Sequence, residues 1–340
     1  MPIVHARSSA RLVAAAACLW IGVGGALAQT TTLQFTMGGV AASNPVVAEL
    51  YVPWAKEVSE ASGGEFRIEV VPGLTLAGPR NFYERVASGV VDIGWGVHGA
   101  VGLPFEKTQV VSLPFLVNSI SNGSVALWRL HASGLIADEY KGVRVLGLLS
   151  FPAQGIHAKK KIASLADLKG MKIRAADRIS AEIVSALGAS PISIPATEVY
   201  QGLSRGVADG LLGGWTLVET FRLYEVVDKH LEGSLGTPPA MVVMNPQAYE
   251  KLSPKARQVL DRYAGEALSR RIGQWFLKNS TEGAQKVAAM AGHDVYALSP
   301  EEREKWRQAA EVVVRQWVAR TAGGDKVLAA VRSELQKLGD

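Results

Sequence analysis

Met171, Ile173 and Ala175 alternate with Lys172 and Arg174, the period-two pattern of a half-buried strand. Leu165–Lys169 ahead of it reads as a short helical turn, and Gly170 as the residue of positive φ that ends the turn. Arg174 therefore falls near the C-terminal end of a strand, the edge at which open α/β sheets bind ligands. Short apolar runs predict further strands over Leu33–Met37, Phe66–Val71, Val90–Ile93, Val143–Leu149, Ser190–Ile194 and Val207–Leu212. Helical spacing alternates with them. Asn44 or Ser43 caps a helix with Pro45 at its first position, running toward Ser62 with a kink at Pro53. Other helices are expected over Phe82–Ser88, Ser124–Lys141, Ser180–Leu187 and Thr197–Ser204.

The two halves of this pattern match at an offset of 117 residues. Tyr83, Val86, Gly89, Val90, Asp92 and Gly96 meet Tyr200, Leu203, Gly206, Val207, Asp209 and Gly213. Each unit reads helix, glycine, short strand, glycine-rich loop, with Trp95 or Trp215 close by. Strand–helix–strand units of this kind build parallel sheets. The fold class expected is α/β, in two similar domains whose strand-end loops face each other. The division predicted is 29–151 plus 240–279 for the first domain and 152–239 plus 280–340 for the second. Ser253-Pro254 opens a helix with no clear stop before Gly292, about 55 Å long if unbroken and so able to cross both domains. Ser299-Pro300-Glu301-Glu302 is a capping box for a helix to Arg320, and Val327–Leu338 is the last helix.

Composition changes this picture at the N-terminus. Residues 1–28 have a basic start (His5, Arg7, Arg11), an apolar Leu12–Leu27 and a small-x-small Ala26-Leu27-Ala28, the pattern of an export signal cleaved after Ala28. The one cysteine, Cys18, lies inside it, which removes disulfide and thiolate chemistry from the mature chain. Without Arg7 and Arg11, 34 basic residues stand against 31 acidic ones. No basic face with interleaved aromatics appears, which argues against nucleic acid, and Lys159-Lys160-Lys161 reads as a solvated turn. No later stretch is long and apolar enough to span a membrane.

Several motifs resemble catalytic ones and fail on context. Gly94-x-Gly96-x-x-Gly99 follows a strand, but Pro104 interrupts the long helix that a dinucleotide site needs, so a tight ligand loop is expected instead. Gly202-Leu203-Ser204-Arg205-Gly206 matches a nucleophile elbow with helix and strand in the wrong order. No histidine pair has metal-ligand spacing, so no metal or cofactor is expected. His98 and His157 fall in loops assigned to the cleft, either as donors to a ligand or as structural histidines. Asp92 and Asp209 read as local caps. Trp95 and Trp215 read either as ligand-facing platforms or as core. Arg174 can hold a carboxylate through two parallel hydrogen bonds, a geometry lysine cannot copy.

Taken together, the motifs resemble the substrate-binding proteins of tripartite ATP-independent periplasmic (TRAP) transporters, the dicarboxylate-binding-protein family. They are Gly89-Val90-Val91-Asp92-Ile93-Gly94, Leu113-Pro114-Phe115-Leu116, Asp167–Arg174, Gly188-Ala189-Ser190-Pro191, and Glu198-Val199-Tyr200 with Gly206-Val207-Ala208-Asp209-Gly210. The resemblance spans about 33 to 320. It implies two α/β domains joined by strands and a long helix, closing on an organic acid, with Arg174 on the ligand carboxylate. It also implies a periplasmic location and a membrane permease as partner.

Some members place a second arginine where Gln154 stands and an asparagine where Gly213 stands. Cation-using members carry an acid near Gly213-Gly214-Trp215, and this chain has none there. With Trp95, Trp215, Phe151 and Ala196 the pocket implied is less polar, favouring a small keto, aliphatic or aromatic carboxylate over a C4-dicarboxylate. Gln154 or His157 could serve a second carboxylate. The site expected comprises Arg174, Trp95, Trp215, Gln154, Gly94, Gly96, His98, Gly214, Phe151 and His157. Hinges are expected near Phe151 and Ala240. The rival readings are an exported hydrolase using Ser204 and a binding protein that serves a chemoreceptor or sensor kinase.

Overall fold

The computed structural model describes residues 30–340; the expected export signal and Cys18 lie outside the described residues. The strands, in chain order, are β1 (Thr31–Thr36), β2 (Phe66–Val71), β3 (Ile93–Val97), β4 (Arg144–Ser150), β5 (Gly155–Ala158), β6 (Lys172–Ala175), β7 (Ser190–Ser193), β8 (Gly210–Gly213), β9 (Lys229–Glu232), β10 (Pro239–Met244) and β11 (Asp294–Ala297). They form a five-stranded sheet in the order β2-β1-β3-β10-β4 and a six-stranded sheet in the order β11-β9-β5-β8-β6-β7. In the first, β1 runs parallel to β2 and β3, and β10 is antiparallel to β3 and β4. In the second, β6 runs parallel to β7 and β8, and β5 is antiparallel to β8 and β9. The order β7-β6-β8-β5-β9 thus repeats β2-β1-β3-β10-β4 with the same strand directions. In each lobe the antiparallel central strand, β10 or β5, is the one that arrives from the other lobe.

The repeat at offset 117 is real at the atomic level. Asp92 Oδ2 accepts the backbone N–H of Gln34 on β1 at 2.8 Å, and Asp209 Oδ2 accepts that of Lys172 on β6 at 2.7 Å. The expected capping is therefore a clasp to a neighbouring parallel strand. Both short strands start three residues later than their apolar runs predict. The N–H groups of Val90 and Val91 bond to Arg85 O, and those of Val207 and Ala208 to Gly202 O, closing the preceding helices after Gly89 (φ +76) and Gly206 (φ +70). Amides used in a helix C-cap are not free to join a sheet ladder.

Gly94 and Gly96 are corrected by the same shift. They lie inside β3, not in a loop. A Cβ on Gly94 would stand 2.8 Å from Val86 Cγ2, and one on Gly96 2.1 Å from Phe82 Cε1. Their role is to let the helix Phe82–Ala87 lie directly on the sheet.

The long helix is also shorter than its periodicity predicts. Pro254–Tyr263 and Glu266–Ala288 are separate, broken at Gly265 (φ +69), whose N–H bonds to Leu146 O at 2.7 Å. The 23-residue helix, about 35 Å long, still touches both lobes. It seats on the first through Gly273, where a Cβ would meet Ser121 Cα at 2.7 Å, and on the second through Gly283, against Glu219. Pro300–Arg320 packs on Arg178–Ala186 of the second lobe, and Gly324–Lys337 on Ile120–Ala132 of the first. Besides the helix Glu266–Ala288 and the return to the last helix, the chain crosses between the lobes at 151–154 and 233–238. The crossings hold each other through Phe151 N–H to Pro238 O (2.9 Å), Gln154 N–H to Gly236 O (2.9 Å) and Leu235 N–H to Gln154 O (3.1 Å). Ala240, expected at a hinge, is already inside β10 and fully buried.

Because Phe82 is fully buried, Gly96→Ala forces its ring to move. The expected loss is about 1–3 kcal/mol, read from the urea midpoint, with part of it recovered by Phe82→Leu in the same background. An unchanged midpoint for Gly96→Ala contradicts this packing.

Candidate ligand-binding site

Arg174 is placed by a sequence of local devices. Ser164 and Asp167 form a reciprocal capping box around the turn Leu165–Leu168, Gly170 turns the chain at φ +81, and β6 begins. Arg174 pairs with Ile192 on one side and Leu211 on the other. It is only 5 % exposed, and its Nε donates to Ile194 O at 3.0 Å. Among the described residues no carboxylate lies within 4.0 Å of the guanidinium. The acid that acts on it is Asp177, whose Oδ1 is engaged with Ser180 N–H at 2.8 Å as the cap of Arg178–Ala186. Burial lowers the arginine's pKa and Asp177 opposes this, but a guanidinium stays charged at any physiological pH. The result is a cation taken out of water without a counter-ion, an arrangement that costs stability unless an anion completes it.

Two further groups lie near the crossings between the lobes. Gln154 is buried and its Oε1 is 3.5 Å from Ser180 Oγ. Phe151 packs between Trp95 (ring centroids 6.3 Å apart) and Phe276 (4.8 Å). Trp95 is 7 % exposed, with Tyr51 tilted against it at 6.2 Å. Among the described residues Trp95 Nε1 and the Tyr51 hydroxyl have no partner outside this pair, and the Trp95 N–H opposes part of what burial does to the phenol. Burial raises the Tyr51 phenol well above its ordinary value. The lobes meet where Gly99, just beyond β3, faces Asp177; a Cβ on Gly99 would be 3.7 Å from Asp177 Cβ.

His98 is corrected. It is not a loop donor at the cleft but an interior residue of the first lobe, 1 % exposed, with Nε2 2.6 Å from Tyr140 OH and Phe105 edge-on at 4.7 Å. Burial pushes its pKa down to about 3, so it is neutral and structural.

His157 and Trp215 belong to a second cluster on the same sheet edge. Trp215 opens the helix Trp215–Thr220 after Gly214, which packs 3.2 Å (measured from an added Cβ) from Pro152 O. Its Nε1 donates to Glu232 Oε1 at 3.3 Å, and its ring covers His157 (5.0 Å) and His230 (5.1 Å). The register sets Arg174, Leu211, His157 and His230 in one row across β6, β8, β5 and β9. A crevice of about 150 Å³ between the lobes is lined here by His157, Gly213, Trp215, Glu232, Leu277 and Ser280. Arg174 is not among its lining residues; the end of β8 stands between.

Arg174, Gln154, Phe151, Gly214 and Trp215 thus stand at or near strand ends and crossings, Trp95 and His157 are buried within β3 and β5 and not in the loops expected for them, and Gly94, Gly96 and His98 serve the interior of the first lobe. Sequence reasoning missed Tyr51, Asp177, Ser180, His230, Glu232 and His293. Asp177-x-x-Ser180 carried a readable cap signal; the histidines carried none, because only sheet register unites them. Ser204 is exposed at the end of Val199–Ser204, with no histidine hydrogen-bonded to it among the described residues. No group that could hold a metal occurs among the described residues, and none of their helices is long and apolar enough to cross a membrane.

Known proteins share this chain's sequence pattern and fold. A TRAP solute-binding protein from Rhodoferax ferrireducens, solved with copurified benzoate, is 30% identical and superposes with a TM-score of 0.84 over 91% of this chain and 99% of its own. A marine metagenome TRAP solute-binding protein specific for aromatic acids, solved with 3-hydroxybenzoate, is 30% identical with a TM-score of 0.85, covering 92% and 100%. The C4-dicarboxylate-binding periplasmic protein DctP of Vibrio cholerae is 27% identical over 81% of this chain and 83% of its own. The profile of the bacterial extracellular solute-binding proteins of family 7 matches residues 37–321. With two lobes of one design, a helix shared between them and an uncompensated arginine at the facing strand ends, the chain belongs to this family, the solute-binding proteins of TRAP transporters.

Proposed function

We propose that this protein captures an aromatic or similarly apolar monocarboxylate in the periplasm and delivers it to a TRAP permease. What supports the ligand class is the buried guanidinium, without a counter-ion among the described residues, read together with the ring cluster of the first lobe as the wall it meets on closure. Arg174 takes the carboxylate in a bidentate pair. Trp95, Phe151, Phe276 and Tyr51 offer rings and no lysine, arginine or charged histidine. A second carboxylate would be desolvated against them without compensation. Gln154 is neutral. Similarity to the benzoate and 3-hydroxybenzoate binders supports the same class.

The lobes in this proposal are 29–151 with 240–279 and 152–239 with 280–340, with the final helix strapped back onto the first. Rotation about the crossings at 151–154 and 233–238 brings ring wall and arginine together and expels water. The attraction between unit charges 4 Å apart rises from about 1 kcal/mol in water to about 4 kcal/mol at an effective dielectric of 20. The ligand supplies the missing counter-ion, so it stabilises the closed form and not the open one, and the permease reads that form. Export rests on residues 1–28, with the mature chain beginning at Gln29.

Arg174→Met is expected to abolish benzoate binding in titration calorimetry. It should leave the ligand-free melting temperature equal or higher, because an unpaired buried charge is removed. Arg174→Lys is expected to bind at least tenfold more weakly than the unsubstituted protein, lacking the fork geometry. Undiminished binding by either variant refutes the assignment. In a thermal-shift series, benzoate, 3-hydroxybenzoate and mandelate at 100 times their dissociation constants each add about 2.7 kcal/mol, whereas succinate at equal concentration adds little. Equal stabilisation by succinate overturns the apolar monocarboxylate class.

A further inference from the structure

His157, His230 and His293 form a hydrogen-bonded chain that nothing in carboxylate capture requires. His157 Nδ1 is 3.0 Å from His230 Nδ1, and His230 Nε2 is 3.0 Å from His293 Nδ1. At the inner end His157 Nε2 is 3.2 Å from Gly213 O. His157 and His230 are fully buried, and His293 is half-buried at the outer end. The planes of the His230 and His293 rings are 13° apart, with centroids 5.3 Å apart.

The protons on this chain have one arrangement. A carbonyl only accepts, so His157 Nε2 carries a hydrogen, and in the neutral ring Nδ1 is then an acceptor. His230 Nδ1 must donate to it, which leaves His230 Nε2 as an acceptor. His293 Nδ1 must donate in turn, and its Nε2 is left bare. Burial holds His157 down to about 3 and His230 to about 4, so both rings are neutral at neutral pH. The other groups that face His230 are Asp228 and Lys229 beside it on its own strand and Asp294 on β11; Asp294 is ion-paired to Lys161 at 2.8 Å. Trp215, tied to Glu232, covers the two inner rings.

We propose that His157 is a positioning residue of the binding site, holding the Gly213-Gly214-Trp215 segment through a hydrogen bond whose proton is placed by His230 and His293. This rests on reading that segment as part of the wall beside Arg174. The half-buried outer member of the chain thereby controls the backbone at the ligand-facing strand end, although it touches no ligand.

Two substitutions of His293 separate this from simple packing. Asn offers an amide N–H where His293 Nδ1 stands and preserves every donor. Asp offers only an acceptor there, so His230 Nε2 must donate. His230 then either takes up a proton and keeps its bond to His157, or turns its Nδ1 into an acceptor. In the second case His157 must reverse, and the bond to Gly213 O is lost. The introduced carboxylate favours the charged His230 ring and raises its pKa, so His293→Asp should behave like the unsubstituted protein near pH 5.5 and lose the bond near pH 8.

Long-range proton–nitrogen NMR of the ligand-free protein is expected to show His157 protonated at Nε2. It should stay so in His293→Asn at both pH values and reverse in His293→Asp near pH 8, with the amide signals of Gly214 and Trp215 moving together with it. Benzoate affinity, measured by calorimetry, should fall about three- to tenfold in His293→Asp near pH 8, recover near pH 5.5, and stay flat in His293→Asn. A His157 protonated at Nδ1 in the unsubstituted protein overturns the proposal, as does His293→Asp with Gly214 and Trp215 amides unmoved near pH 8. Failure of the unsubstituted protein to bind benzoate would refute the ligand class, while the ligand-free spectra decide the histidine chain by themselves.

Discussion

A guanidinium removed from water without a counter-ion is the constraint around which the second lobe is arranged. Arg174 is held by one hydrogen bond, from Nε to Ile194 O, which leaves the outer edge of its fork without an anion. The nearest acid, Asp177, is committed to the first turn of Arg178–Ala186 through Ser180 N–H. That commitment matters. An acid free to swing onto Arg174 would satisfy the charge internally and abolish the driving force for an external carboxylate. Capping thus keeps the site open electrostatically as well as ending a loop. The cost is an apo state less stable than the fold could provide, a recurring feature of functional sites.

The architecture lets that constraint act at a distance. Each lobe takes its central antiparallel strand from the chain that has just crossed over, β5 in one and β10 in the other. A hinge motion cannot be confined to a loose linker under these conditions, because both crossings feed strands in the middle of sheets. The crossings also bond to each other at three points, so the lobes rotate about a two-stranded ribbon with limited freedom. The helix Glu266–Ala288 restrains the same rotation from one side, touching the first lobe at Gly273 and the second at Gly283. Both contacts depend on the absence of a side chain, which allows close sliding of helices without interlocking.

Short-range signals make the arginine legible in the sequence. Gly170, the alternation Met171–Ala175 and the strand-end position of Arg174 each depend on a few adjacent residues, and the sheet keeps them. The repeat at offset 117 is equally readable, since Asp92 and Asp209 make the same clasp. Inference fails where a residue's partner lies far along the chain. Gly94 and Gly96 read as a ligand loop because their glycine spacing is shared by loops and by tightly packed strands; only Phe82 and Val86 decide between them. His98 reads as a cleft residue because glycines surround it in sequence, while its ring turns inward to Tyr140, 42 residues away. The break at Gly265 is hidden because apolar spacing continues on both sides of it. The chain His157–His230–His293 joins residues 73 and 63 positions apart, and no periodicity predicts the antiparallel β5–β9 register and the parallel β9–β11 pairing that bring them together.

The division of labour between the lobes follows from these placements. The second lobe carries the charge, a strong and unselective attraction for any carboxylate. The first carries Tyr51, Trp95, Phe151 and Phe276, which contribute little to an anion as such and much to an apolar body. In the proposed site neither wall suffices alone. Joined, each strengthens the other, because the rings exclude the solvent that would screen the ion pair, and the ion pair fixes the carboxylate so that the ring lies against its platform. Selectivity in such a site resides in the lobe without the charge. The burial of that wall is itself the filter: Trp95, Tyr51 and Phe276 are almost wholly out of water, so a second charge brought against them is desolvated without a partner.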